Sequence, residues 1–273
     1  MTEPAIHHRD IGTGAAPVVF LHGLFGQGKN FTQIARDLSD LATSRLVDLP
    51  NHGRSAWTAT FDYDLFADAL VDTIAEHAGA LGRRGVTLVG HSLGGKVAMR
   101  FALRHPHLVE QLVVVDISPV DAGVHGSFDH ILAGLRAVPV DRLSSRAQAE
   151  AALSAHVDLP SVRAFLLQNL RHDHHEWHWR MNLDLLEAAI DAVGSWPAIE
   201  ATYPGPVTWV AGERSDYVRP EYAPAMRALF PRVRLVTIKD AGHWVHSDQP
   251  RVFTSLLRYL LTEASRAASL SPE

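Results

Sequence analysis

Apolar positions along the chain fall into short, nearly unbroken runs. VVFL (18–21), RLVD (45–48), VTLV (86–89), LVVV (112–115), VTWV (207–210) and VRLVTI (233–238) are each bounded by Gly, Pro or polar residues. Such runs, rich in β-branched side chains, predict strands buried on both faces of a mostly parallel sheet. Between them the apolar spacing changes to a helical period over 61–77, 93–104 and 222–229. Strand–helix alternation of this kind specifies an α/β fold.

One interval breaks the rhythm. Residues 119–200 contain no convincing strand and read as helices over 128–138, 146–156, 162–170 and 183–193, punctuated by Pro139, Pro160 and Pro197. That interval is too long for a plain loop in a compact domain. It is expected to form a helical cap over the carboxyl edge of the sheet, where open α/β sheets bind ligands. The chain then divides into a first core part (1–118), the cap (119–200) and a second core part (201–273). Its end, TEASRAASLSPE, is small and polar and is expected to fray.

Composition narrows the function. The 273 residues are 47% hydrophobic and 20% charged, enough for a sizeable core. A net charge of −5 argues against a nucleic-acid binder that works by neutralising phosphates. No apolar run is long enough to span a membrane, and the N-terminus lacks the pattern of a signal peptide, so a soluble cytoplasmic protein is expected, monomeric or homodimeric. The absence of cysteine removes disulfides, thiol nucleophiles and thiolate-bound metals.

The chemistry is concentrated at the ends of the predicted strands. Gly90-His91-Ser92-Leu93-Gly94 fits G-x-S-x-G directly between a strand and a helix, the context of a nucleophile elbow. Ser92 would be the nucleophile, at a helix N-terminus that favours developing negative charge. A serine hydroxyl needs a base. Among 17 histidines, His243 follows the last strand in AGHW and is the expected base, with His246 its nearest competitor. The acid that orients it is either Asp116, ending the strand LVVV, or Asp216, following VTWVA; spacing alone does not choose. Oxyanion donors are expected from the N–H of Leu93 and from the turn HGLFG, with Leu24 first and Phe25 second.

HGLFG, DLPNHGRS, GHSLGGK, VVVDISPV and AGHWVH together resemble the α/β-hydrolase superfamily, and more narrowly its small YbfF-type serine esterases, over residues 18–259. The resemblance implies an α/β-hydrolase fold and carboxylic-ester hydrolysis by a Ser–His–acid triad, with no cofactor. Short- to medium-chain acyl esters or thioesters would be its substrates. It also favours Asp116, because the usual superfamily acid position after VTWVA is occupied here by Ser215.

Other serine chemistries of the scaffold are alternatives: perhydrolase or haloperoxidase, C–C bond hydrolase, lactonase and amidase. A ligand-binding receptor is a further reading, against which an activated serine speaks. Phe25, Trp179 and Trp244 are expected to line the substrate pocket, with Trp177 and Asn182 near the cap–core cleft. In the stretch RHDHHEWHWR, His174 and His178 would share a helix face as zinc ligands do, but H-E-x-x-H is absent and no metal is expected. Asp48, His52, Arg54 and His22 read as residues that brace loops beside the site.

Overall fold

A computed structural model of the protein describes residues 4–121, 123 and 127–270. Its strands are β1 (His8–Ile11), β2 (Ala16–Leu21), β3 (Ala42–Val47), β4 (Val86–His91), β5 (Val109–Val115), β6 (Leu170–Asp173), β7 (Glu176–Trp179), β8 (Val207–Gly212) and β9 (Val233–Ile238). Its helices are α1 (Thr32–Asp37), α2 (Tyr63–Asp68), α3 (Val71–Ala80), α4 (Leu93–Arg104), α5 (Ser127–Ala137) and α6 (Arg146–Ser154). There follow α7 (Pro160–Leu167), α8 (Leu183–Ala188), α9 (Ile190–Gly194), α10 (Ala223–Leu229), α11 (Val245–Asp248) and α12 (Pro250–Leu270).

Seven strands form one sheet in the order β1-β3-β2-β4-β5-β8-β9, parallel except for β1. This is the α/β-hydrolase architecture. The apolar runs of β2, β4, β5 and β8 are continuous because both faces are covered; the edge strand β9, expected to be buried likewise, leaves Leu235 56% exposed. In β2, Val19 and Leu21 join one core while Val18 and Phe20 join the other. The first core also contains α2, α3 and α4; the second is closed by Ile34 and Leu38 near α1 and by Phe253, Leu257 and Leu260 of α12. Parallel strands all end at one edge, so loops after β2, β4, β5 and β9 can converge there.

Several expectations need correction. The helix predicted over 61–77 is two helices, α2 and α3. Asp64 and Asp68 of α2 pair with Arg100 and Arg104 of α4, each at 2.6 Å, which aligns α2 on α4 before the chain turns into α3. The 183–193 helix likewise divides into α8 and α9. β1, too short and polar to stand out, adds an antiparallel edge strand.

The segment between β5 and β8 is not wholly helical. β6 and β7 form an antiparallel hairpin, closed by His174 and His175 with φ of +53° and +70°. Two successive left-handed residues match the twist of a two-residue hairpin turn. Past Leu261, in the stretch expected to fray, α12 continues as helix to Leu270, and residues 271–273 lie outside those described. Among the described residues, no helix is long and apolar enough to cross a membrane.

Candidate active site

The turn from β4 into α4 places Ser92 in a strained conformation, φ 52° and ψ −118°. Left-handed backbone is costly for a residue with a Cβ and is retained where the surroundings enforce it. Here the Ser92 N–H donates to the carbonyl of Val115 at 3.0 Å, and its carbonyl accepts from Lys96 N–H at 3.0 Å. The flanking glycines are steric requirements. A Cβ on Gly90 would lie 2.2 Å from the Gly94 carbonyl oxygen, and one on Gly94 would lie 2.4 Å from that of Leu21.

Two other strand ends meet this serine. Nε2 of His243, after β9, lies 2.9 Å from Ser92 Oγ. Its Nδ1 lies 2.8 Å from Oδ2 of Asp116, the residue that follows β5. The Asp116 side chain is fully buried, and its Oδ1 accepts the Gly212 N–H at 2.9 Å. The hydrogen bonds therefore run Ser92 to His243 to Asp116. Asp216, the other candidate acid, is exposed and its backbone carbonyl accepts from Arg219 at 3.0 Å. Ser215 beside it turns inward and donates its hydroxyl to Asp116 Oδ2.

The imidazole of His243 is held on several sides. The Tyr217 ring stacks on it at 4.1 Å, and the His243 carbonyl accepts from His91 Nε2–H at 2.8 Å. Burial, followed by His246 and His243, drives the His91 pKa well below its usual value, so His91 is a neutral brace. His246 contacts the rings of His91 and Phe31, at 4.7 and 4.8 Å, and burial lowers its pKa to about 4.

Facing the elbow, Gly23 to Gly26 form a tight turn closed by a 2.9 Å bond from Gly26 N–H to the Gly23 carbonyl. Phe25 has a φ of +59°. Its N–H is engaged: it donates to His52 Nε2 at 3.1 Å, which removes Phe25 as an oxyanion donor. Among the described residues the N–H groups of Leu24 and Leu93 have no protein acceptor. His52 Nδ1 donates to the Pro50 carbonyl at 3.0 Å, and His22 Nε2 accepts the Leu49 N–H at 3.0 Å. Both rings therefore brace backbone in neutral form. Burial pushes the His22 pKa down and that of His52 to about 3.

Two cavities meet at Ser92. One is walled by Phe25 and Trp244 of the core and by Phe128, Ile131 and Phe165 of the inserted segment. The other lies toward Leu93, Ile117, Val193 and Tyr217. Ser92, Leu24 and Phe128 border both. Trp179 borders neither: as part of β7 it pairs with Leu170 and packs, with Trp177, against the core. Asn182 instead bonds Asn51 through backbone and side chain, at 2.9 and 3.1 Å, fastening the inserted segment to the DLPNHGRS loop.

The hairpin also removes the helical face on which His174 and His178 would have been neighbours. Among the described residues, no group of three His, Asp or Glu side chains is placed to hold a metal.

The most informative residue not foreseen is Lys96, 2% exposed on α4. Its Nζ donates to the carbonyls of Gly194 and Ser195, at 2.7 and 2.6 Å, where α9 ends. A lysine in an apolar helix one turn after the nucleophile was the available signal.

Residues 16–250 match the family described as the alpha/beta hydrolase fold. The chain belongs to that family. As a family member it is 37% identical over 248 residues to the sn-1-specific diacylglycerol lipase ABHD11 of Danio rerio, covering 88% of this chain and 77% of that protein. It is 34% identical over 246 residues to Esterase YbfF of Escherichia coli, covering 90% and 93%. A solved marine microorganism esterase superposes with a TM-score of 0.87 at 32% identity, covering 94% of this hydrolase and 99% of that chain. The expectation of an ester-hydrolysing enzyme agrees with these names.

Proposed function

We propose that this hydrolase is a serine carboxylesterase acting on short- to medium-chain acyl esters or thioesters. Ser92 attacks the acyl carbonyl while His243 Nε2 takes its proton. Asp116 holds the imidazole in the required tautomer and stabilises the imidazolium. The tetrahedral oxyanion is received by the N–H groups of Leu24 and Leu93. Collapse expels the alcohol or thiol, protonated by His243, and leaves an acyl-enzyme. Water activated by the same histidine then releases the acid. Each role is filled by a protein group, so the reaction calls for no metal or cofactor.

The observation that carries this reading is the unbroken hydrogen-bond series from Ser92 Oγ through both nitrogens of His243 to the buried Asp116, at 2.9 and 2.8 Å. Two apolar cavities converging on one serine suit an ester, whose acyl and alcohol arms diverge from the carbonyl. Hydrolysis of p-nitrophenyl esters from acetate to dodecanoate, by wild type and Ser92→Ala in parallel, tests it. Turnover is expected to fall by about 10⁴–10⁶ in the variant, and equally in His243→Ala. Substantial activity in either variant refutes the mechanism. A diacylglycerol belongs in the panel because one relative is named as a lipase for it.

A further inference from the structure

Behind the oxyanion turn lies a separate solvent-open cleft that shares no lining residue with the two cavities at Ser92. A single loop divides them. Gly26, Asn30 and Phe31 face the Ser92 pocket, whereas Gln27 and Lys29 face the cleft. Gln27 Nε2 seals the partition by donating to Asn169 Oδ1 at 2.7 Å, and Asn30 Nδ2 by donating to Gln168 Oε1 at 3.0 Å.

The cleft gathers Arg9, Lys29, Arg54, Arg171 and Arg180 around one carboxylate, Asp48. They come from β1, the loop after β2, the DLPNHGRS loop and, for Arg171 and Arg180, from β6 and the residue just after β7, so core and inserted segment both contribute. Asp48 is already engaged. Its Oδ1 accepts the Gly28 N–H at 2.7 Å and its Oδ2 the backbone N–H of Arg54 at 2.9 Å. Among the described residues Arg9, Lys29, Arg54 and Arg171 make no salt bridge, while Arg180 approaches only Asp173, at 3.7 Å.

Elsewhere the chain pairs its buried guanidiniums closely: Arg45 grips Asp10 through two bonds of 2.8 and 2.9 Å, and Arg100 grips Asp64 at 2.6 and 2.7 Å. In the cleft, by contrast, the cations gather without close carboxylate partners of their own, and the Arg9 guanidinium donates only to Thr32 Oγ1, at 2.6 Å. Mutual repulsion within the cluster registers on its members: burial, then Arg171, pushes the Lys29 pKa down, and burial, then Arg171 and Arg54, does the same to Arg180.

We propose that this cleft binds a phosphate group of a soluble small molecule distinct from the ester substrate. One carboxylate is satisfied by a single guanidinium fork, whereas a phosphate offers several oxygens and close to two charges. Five cations from four segments match the second. Leu46 is the one apolar residue lining the cleft among those described, so charged and polar side chains dominate the wall.

Calorimetric titration of the full-length protein with inorganic diphosphate, with acetate at matched ionic strength as control, tests the assignment. Saturable one-to-one binding of diphosphate and none of acetate is expected. Lys29→Gln and the double variant Arg171→Gln/Arg180→Gln are each expected to weaken it about tenfold or more. Both variants should hydrolyse p-nitrophenyl acetate within about twofold of wild type, which shows that they remain folded. No saturable binding by wild type, equal binding of acetate, or wild-type affinity in active variants overturns the proposal.

Discussion

Ser215 donates its hydroxyl to Oδ2 of Asp116, the same oxygen that faces Nδ1 of His243. The loop after β8, where the resemblance to the wider superfamily would seek the acid, thus supplies a donor to an acid that ends β5. A buried carboxylate that accepts from Ser215, His243 and the Gly212 N–H is held in one orientation without a compensating cation.

That relationship separates the two candidate acids. Asp116→Asn is expected to lower kcat/KM by about 10³–10⁴, because the amide favours the wrong imidazole tautomer. Asp216→Asn, altering an exposed side chain, should stay within about twofold. Ser215→Ala removes one of three donors to the carboxylate and should cost about tenfold. Steady-state kinetics on one ester series ranks all three. A larger loss in Asp216→Asn than in Asp116→Asn would reverse the assignment.

Two helical glycines should respond in opposite directions to the same substitution. A Cβ on Gly94 meets the Leu21 carbonyl at 2.4 Å, so the elbow helix must shift away from β2. Gly94→Ala is expected to destabilise by about 2 kcal/mol or more and to depress turnover. A Cβ on Gly79, exposed near the end of α3, meets nothing within 4 Å. Gly79→Ala should stabilise by about 0.5–1 kcal/mol, from helix propensity and a less flexible unfolded chain. Urea unfolding of both variants provides the comparison.

The core strands were legible because burial on both faces leaves β-branched runs that no other element produces at that length. The elbow was legible because its chemistry and its sterics demand the same residues. Elsewhere tertiary contacts decided. Nothing local to residues 61–77 announces a break; it arises where Asp64 and Asp68 align α2 on Arg100 and Arg104, far along the chain. The β6–β7 hairpin was obscured because its turn uses two histidines rather than Asn-Gly. Trp179 carried no sign of which surface it would meet, so an aromatic residue that packs on the core resembled one lining a pocket.

Lys96 extends the argument from the elbow to the inserted segment. Its ammonium closes the carbonyls of Gly194 and Ser195, while Tyr63 Oη donates to the Val193 carbonyl at 2.6 Å. Lys96→Met preserves most of the volume and leaves two carbonyls without their donor. Destabilisation of about 2–4 kcal/mol is expected. Because Lys96, Val193 and Gly194 border the cavity beside Ser92, KM should rise more than kcat falls. Thermal unfolding and kinetics measured together distinguish this from a purely structural loss, which would leave the KM of the folded fraction unchanged.

The pH dependence of stability should carry the mark of His52. Its folded pKa of about 3 lies far below the ordinary value of 6.5, chiefly because the ring is buried. Between those values the unfolded chain binds a proton that the folded protein excludes. The contribution of His52 is therefore complete above about pH 6.5 and is progressively lost as the pH falls toward 3. At pH 4 the loss is on the order of 3 kcal/mol. His52→Gln cannot titrate, yet its amide oxygen can still accept the Phe25 N–H. Other acid-sensitive groups are common to both proteins, so the difference in their stability–pH slopes isolates this residue. Wild type should lose more stability than His52→Gln between pH 7 and pH 4, measured by urea unfolding at each pH. Parallel slopes would mean that folding does not lower the His52 pKa, and that the neutral brace behind the oxyanion turn is wrong.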